Sequence, residues 1–178
     1  MTLVRATPKD AERIAELGWR TFAETFVGMS YYTKEIIDGY AVNTFAPAKI
    51  RAERSDPSLT YWMIEVEGQL AGYAKVEEHE PAACLGQDFK GLYLSRLYFD
   101  KGFQRRGLGT EAMAEIHAEA RRRGHHWIWL SVWEFNTKAR AFYAKHGFRK
   151  AGHWDWAYES YGRRYVDVDD VMICEVAR

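Results

Sequence analysis

Two cysteines in 178 residues, Cys84 and Cys174, are too few for a disulfide framework, and their spacing suits no paired metal site. Both thiols are expected to stay reduced, Cys84 in a loop and Cys174 as a small buried apolar residue. There is no excess charge of either sign, since Lys+Arg and Asp+Glu number 25 each. No stretch approaches the roughly 18 apolar residues that a membrane-spanning helix needs, and no basic leader precedes an apolar run at the N-terminus. The default expectation is therefore a cytoplasmic chain with no membrane partner. Internal repeats, low-complexity tracts and linkers are missing as well, which points to one domain over residues 1–178. Two nucleotide signatures are also missing. The chain lacks the Gly-Lys-Ser/Thr ending of a P-loop and has no G-x-G-x-x-G dinucleotide turn.

What is present is ordinary in bulk and uneven in detail. Hydrophobic content of 47% with 28% charged residues suits a globular protein with an adequate core. The neutral total hides a basic segment: residues 101–150 hold eleven Lys/Arg against four Asp/Glu. That balance suits an anionic ligand. Nucleic acid is not favoured, because no basic arm or recognisable reader motif accompanies the charge. Arg121, Arg122 and Arg123 are assigned to solvating a helix end.

The basic segment has an internal order. Leu92–Phe99 is apolar and aromatic and reads as a strand. Asp100–Thr110 is a glycine-containing basic loop. From Leu108, apolar residues at Ala112, Met113, Ile116 and Ala120 recur at helical spacing, with Glu111, Glu115, Glu119, Arg122 and Arg123 assigned to the opposite, polar face. Gly124 is a plausible stop. A helix N-terminus carries unpaired N–H groups and partial positive charge, so it can receive phosphate oxygens. Gly107 and Gly109 allow close backbone approach, and Arg105 and Arg106 add charge.

Gln104-x-x-Gly107-x-Gly109, after a strand and opening a helix, resembles the acyl-CoA pyrophosphate loop of the GNAT acetyltransferase superfamily. A second pattern strengthens the resemblance. The strand Trp127–Glu134 is followed by Asn136-x-x-Ala139-x-x-Phe142-Tyr143-x-x-x-Gly147-Phe148. With the Trp129-Leu130-x-Val132-Trp133-Glu134 run, the chain is most similar to bacterial spermidine/spermine N-acetyltransferases, specifically over about Leu92–Gly152. The resemblance implies an α/β fold with a central mixed, mostly antiparallel twisted sheet of about six or seven strands flanked by helices. It implies acetyl-CoA as cofactor and a small-molecule amine as partner, polyamines leading, with a homodimer left open. Backbone groups of Leu97, Tyr98 and Phe99 would pair with the pantetheine arm, and residues Gln104, Arg105, Arg106, Gly107, Leu108, Gly109 and Thr110 would take the pyrophosphate.

Elsewhere the reading is coarser. A strand at Leu3–Ala6 precedes a helix opened by Pro8, with Ala11, Ile14, Ala15, Leu17, Phe22 and Phe26 along it. Short helices are expected at Thr33–Tyr40 and Pro47–Arg54. Strands at Tyr61–Val66 and Leu70–Val76 are joined by Glu67-Gly68-Gln69. A loop runs from Glu77 to Lys90. After Phe148 come a strand near Ala151–Trp156, an aromatic and polar loop over His153–Tyr165 with Asp155 and Glu159 available to a cationic acceptor, and a last strand, Val166–Val176. In the resembled fold the N-terminal helices lie over the acceptor site, so Phe22, Tyr31 and Tyr32 are candidate lining residues, with core packing the stronger reading for Phe22.

Acetyl transfer from a thioester to an amine needs a held donor, a neutral amine and a proton for the thiolate. Tyr143 is the candidate proton donor, because a phenol stays protonated at neutral pH. Asn136 caps its helix or meets the cofactor. Lys138, Arg140 and Lys145 are candidates for the nucleotide phosphate. Related polyamine enzymes carry glutamates on the central strand where this chain has Tyr93 and Ser95. Ser95 is therefore read as holding a water that relays the proton to Glu77, Glu134 or solvent, with Tyr93 beside the substrate. His79 and His153 read as surface histidines. An acyl-CoA-sensing module without catalysis and a protein N-terminal acetyltransferase are the alternatives.

Overall fold

The computed structural model describes residues 1–30, 32–160 and 163–176. Among these, the chain forms β1 (Thr2–Arg5), α1 (Ala11–Phe26), α2 (Lys34–Thr44), α3 (Pro47–Glu53), β2 (Leu59–Val66), β3 (Gln69–Glu77), β4 (Gly91–Phe99), α4 (Leu108–Arg122), β5 (Trp127–Trp133), α5 (Thr137–Lys145), β6 (Arg149–Ser160) and β7 (Arg163–Glu175). The sheet order is β1-β2-β3-β4-β5-β7-β6. β4 and β5 run parallel, as a strand–helix–strand crossover through α4 requires, while β1–β2, β5–β7 and β6–β7 are antiparallel. The expected mixed, mostly antiparallel sheet with flanking helices is what forms.

The chain packs as two compact units, residues 1–75 with 96–109, and residues 76–95 with 110–178. In the first, α1 supplies the apolar stripe. Ala11, Ile14, Ala15 and Leu17 are buried with Ile50 of α3, Tyr61 and Met63 of β2 and Tyr73 of β3. The turn before α1 is set by Thr7, whose N–H and hydroxyl each donate to the Asp10 carboxylate at 2.8 Å, with Pro8 following at the start. Glu67 and Gly68 both take left-handed φ, which makes a two-residue hairpin turn and lets β3 begin at Gln69. Charge is also buried here. Glu53 accepts from the Tyr61 hydroxyl and pairs with Lys75 at 3.3 Å, and the Arg96 guanidinium lies 4.9 Å from the Phe45 ring centre with an N–H 3.4 Å from Tyr61 Oη.

The second unit departs from expectation in two places. The supposed loop over His153–Tyr165 is largely strand: β6 and β7 form a long hairpin, in register from Arg149 opposite Ile173 to Ser160 opposite Arg163, with one irregularity between Lys150 and Gly152. The run Trp154, Trp156, Tyr158 alternates as a strand does, and pairing with β7 along the length of β6 outweighs its polar interruptions. Asp155 is accordingly an exposed strand residue opposite Val168, and Glu159 stands opposite Arg164. The other departure is Glu119, assigned to the polar face of α4 but 2% exposed. Its carboxylate accepts from Arg123 at 2.8 Å and pairs with Arg122, and Arg123 continues to Glu78 at 3.1 Å. Arg123 therefore neutralises a buried acid instead of solvating the helix end. Cys84 is exposed and Cys174 buried, both as free thiols.

Candidate active site

In the first unit, the end of β4 runs into the glycine loop through a set of local bonds. The Asp100 N–H donates to the Ala71 carbonyl at 2.9 Å, its carboxylate accepts from the Gly102 N–H at 2.9 Å, and it pairs with Arg20 at 2.7 Å. Leu97, Tyr98 and Phe99 are half-buried, and the Tyr98 ring stacks on Tyr73 with centroids 5.8 Å apart. Gly72 allows β3 to lie this close, since a Cβ there would sit 2.6 Å from the Tyr98 carbonyl oxygen and from the Phe99 ring. The Gln104 side-chain amide donates to the Phe99 carbonyl at 3.0 Å, so this residue braces the loop against its own strand.

Beyond Gln104 the loop opens. Arg105 has φ of 63° and Gly107 of 82°, and residues Gln104–Gly107 are exposed. A left-handed arginine costs about 1–2 kcal/mol, a strain found where a loop's shape serves a ligand. A helix entered through such a loop keeps its first-turn N–H groups available to an anion. Gln104 is extended, with φ of −68° and ψ of 157°, and with the left-handed Arg105 it makes a tight turn. The Arg106 guanidinium lies over the Phe103 ring at 5.2 Å, and buried Leu108 anchors the first turn of α4.

In the second unit, the ladder between β4 and β5 pairs Gly91, Leu92 and Tyr93 with Trp127, Ile128 and Trp129. Beyond Trp129, β5 is paired along its other edge with β7, Leu130 opposite Met172 and Trp133 opposite Asp169. On α5, the Asn136 side chain accepts from the Ala139 N–H at 3.2 Å, which settles its capping role. Arg140 is committed to protein acceptors. It pairs with the buried Asp170 at 2.7 Å, which Lys150 also meets, and donates to the Glu134 carbonyl at 3.0 Å. Lys138 and Lys145 are exposed, and Thr110 Oγ1 lies 3.3 Å from His146 Nε2.

Tyr143 is half-buried against Phe142 and Phe148, with ring centroids 5.4 and 5.6 Å away. Burial, assisted by the neighbouring Tyr93 phenol, pushes its pKa above the ordinary tyrosine value. It is thus held protonated, as a proton donor must be. Tyr93 stacks on Trp129 at 4.1 Å and places its hydroxyl 3.3 Å from Ser131 Oγ. Ser95 and Glu134 are half-buried, and the Glu134 N–H donates to the Val168 carbonyl at 3.0 Å. His79 is exposed yet packs its ring near Tyr93, Trp129 and Trp154, 5.2, 5.9 and 6.2 Å away. His153 is exposed on β6.

The family model described as the Acetyltransferase (GNAT) family matches residues 19–148. The chain belongs to the GNAT acetyltransferase family. This GNAT chain is 30% identical over 148 residues to an uncharacterized N-acetyltransferase of Lactobacillus delbrueckii subsp. lactis, covering 83% of this chain and 84% of that one. An uncharacterized N-acetyltransferase of Mycobacterium bovis is 27% identical over 143 residues, 80% of this chain and 85% of the other. In fold, the chain is similar to a PaiA N-acetyltransferase from Thermoplasma acidophilum solved in complex with coenzyme A, with a TM-score of 0.75 at 18% identity over 98% of this chain and 99% of that one. It is also similar to the putative acetyltransferase YncA from Salmonella typhimurium, solved with its cofactor acetyl-CoA, with a TM-score of 0.66 at 20% identity, covering 100% and 95%.

Within each unit of this acetyltransferase, then, some expected residues meet and others do not. Tyr93 and Tyr143 are electrostatic neighbours in the second unit. Phe22 packs into the core of the first, its ring 4.6 Å from Phe26, 5.0 Å from Tyr40 and 5.6 Å from Phe45. Tyr32 sets its ring edge-on to Phe26 at 5.9 Å, and Tyr31 lies outside the described residues. Sequence reasoning missed Asp169. It stands on β7 opposite Trp133 and Trp154, diagonal to Ser131 on the same face of the sheet. The available signal was the acid run Asp167-x-Asp169-Asp170 inside an otherwise apolar strand.

Proposed function

We propose that this GNAT enzyme uses residues 1–178 as one catalytic unit that transfers an acetyl group from acetyl-CoA to a primary amine of a small molecule, polyamines being the leading class. The observation that carries the reading is the open loop at the mouth of α4. Its exposed backbone at Arg105, Arg106 and Gly107 leads into the first-turn N–H groups of α4, and with the two arginine side chains these are a donor set suited to a diphosphate. When bound, acetyl-CoA supplies the activated acyl group.

The chain's own residues then have separable tasks. Arg105, Arg106, Gly107, Leu108, Gly109 and Thr110 hold the diphosphate, and Gln104 keeps the loop in shape through Phe99. Main-chain groups of Leu97, Tyr98 and Phe99 orient the arm. Tyr143, kept protonated by burial, gives its proton to the leaving sulfur. Asn136 holds the first turn of the helix that carries Tyr143.

Calorimetry with coenzyme A, followed by thiol release from acetyl-CoA across a panel of amines, tests the reading. Binding together with amine-stimulated release is expected. No uptake of coenzyme A by folded protein overturns it. Uptake without release by any amine favours the sensor reading, which the absence of glutamates at Tyr93 and Ser95 supports.

A further inference from the structure

If the acceptor is a primary amine, as proposed above, it arrives almost wholly as ammonium. With a pKa near 10.4, only about one molecule in 2,500 is neutral at pH 7. The central strand offers Tyr93 and Ser95 where a carboxylate would be the direct remedy. The acids of the second unit differ sharply in how they are neutralised. Asp170 is met by Arg140 and Lys150, and Glu119 by Arg122 and Arg123. Asp169 has no described lysine or arginine paired to it.

What surrounds Asp169 is a polar line with apolar sides. Ser131 on β5 is its diagonal neighbour on the same face of the sheet and favours its ionised form, and Ser131 Oγ lies 3.3 Å from the Tyr93 hydroxyl on β4. On its own strand Asp167, two residues away on the same face, and the adjacent Asp170 add like charge. Across the ladders it is opposite Trp133 on β5 and Trp154 on β6, and Trp154 stacks on Trp156 at 4.9 Å. A carboxylate shielded by indoles and crowded by like charge holds a proton more readily than a solvated one.

We propose that Tyr93, Ser131 and Asp169 form a proton relay that takes the first proton from the acceptor ammonium. The ammonium gives a proton to the Tyr93 oxygen as Tyr93 passes its own to Ser131 and Ser131 passes its own to Asp169. The freed nitrogen lone pair forms the N–C bond to the acetyl carbon while the C–S bond breaks. Tyr143 protonates the sulfur, and the second proton lost by the nitrogen restores Tyr143. The net change is one ammonium and one thioester giving one amide, one thiol and one proton, which Asp169 releases to solvent. Asp169 and Ser131 are thus positioning residues acting through Tyr93. Burial, partly opposed by the Ser131 hydroxyl and aided by Asp167 and Asp170, brings the Asp169 carboxyl up to about 6, near where a relay terminus is useful.

The test pairs kinetics with a titration that needs no turnover. In wild type, kcat/KM for the amine is expected to fall below about pH 6. Asp169→Asn is expected to lose that acid limb and to lower kcat by about 10²–10⁴-fold with coenzyme A affinity unchanged, with Asp169→Glu recovering part of it. By ¹³C NMR the Asp169 carboxyl is expected to titrate near pH 6, and Ser131→Ala to move it upward by removing the hydroxyl that favours the ionised form. An Asp169→Asn enzyme with wild-type kcat and an intact acid limb overturns the relay while leaving the acetyltransferase reading standing. So does an Asp169 resonance indifferent to Ser131→Ala. Failure of wild type to acetylate any amine overturns both.

Discussion

Asp169→Asn is expected to make the protein more stable at neutral pH while making it a poorer enzyme. The native carboxyl sits near 6 against an ordinary value of 3.8, chiefly because burial penalises its charge. Between those values the native state holds more of this proton than the unfolded chain does. The group's contribution to stability therefore falls as pH rises from about 4 to about 6, and stays low above that. A displacement of about 2 pKa units is worth about 3 kcal/mol, and partial solvent access brings the expected gain to about 2–3 kcal/mol. Asparagine never pays that charging cost. Urea denaturation of both proteins at pH 4, 5, 6 and 7 checks this directly. The two curves are expected to lie close together at pH 4 and to separate by about 2–3 kcal/mol at pH 7, with equal m-values. A variant that is no more stable at pH 7, or less stable, refutes the idea that Asp169 is held against its charge.

Tyr143→Phe removes a single hydroxyl and is expected to lower kcat by about 10²–10⁴-fold with little change in coenzyme A binding, read by thiol release and calorimetry. Glu119→Ala strips two arginines of a carboxylate that is 2% exposed, and unfolding should show a loss of about 3 kcal/mol, softened by the bond Arg123 keeps to Glu78. Gly72→Ala places a methyl 2.6 Å from the Tyr98 carbonyl oxygen, a backbone atom that cannot step aside. It should cost about 1–3 kcal/mol by thermal denaturation, and an unchanged melting temperature would show that β3 and β4 have slack there.

The parts of this molecule legible in its sequence are those where a local rule and the tertiary environment agree. Ile14 and Leu17 on α1, or Met113 and Ile116 on α4, are apolar at helical spacing and are buried. Gly107 takes the left-handed φ that a tight loop at a helix mouth requires, and Asn136 caps α5 as its residue type suggests. The misreadings come from partners distant in sequence. Glu119 obeys the polar periodicity of α4 and is nevertheless buried, because Arg123 bends back to it and links it to Glu78. Arg140 looks like a free cation until β7 brings Asp170 beneath it. The β6–β7 hairpin is long because each strand stabilises the other, and polar residues such as Asp155 and Glu159 hide that pairing from a one-strand view. Asp169 escaped notice for the same reason: its link to Ser131 exists only once β5 and β7 are side by side.

The claim beneath all of this is that amide hydrogens around Gly107 grip a diphosphate. An ¹H–¹⁵N NMR titration of the folded chain with coenzyme A measures those hydrogens directly. The amides of Arg105, Arg106, Gly107, Leu108 and Gly109 are expected to shift together and saturate, with inorganic pyrophosphate moving the same set more weakly. Saturable binding that leaves those five resonances in place, or no binding at all, would contradict the account.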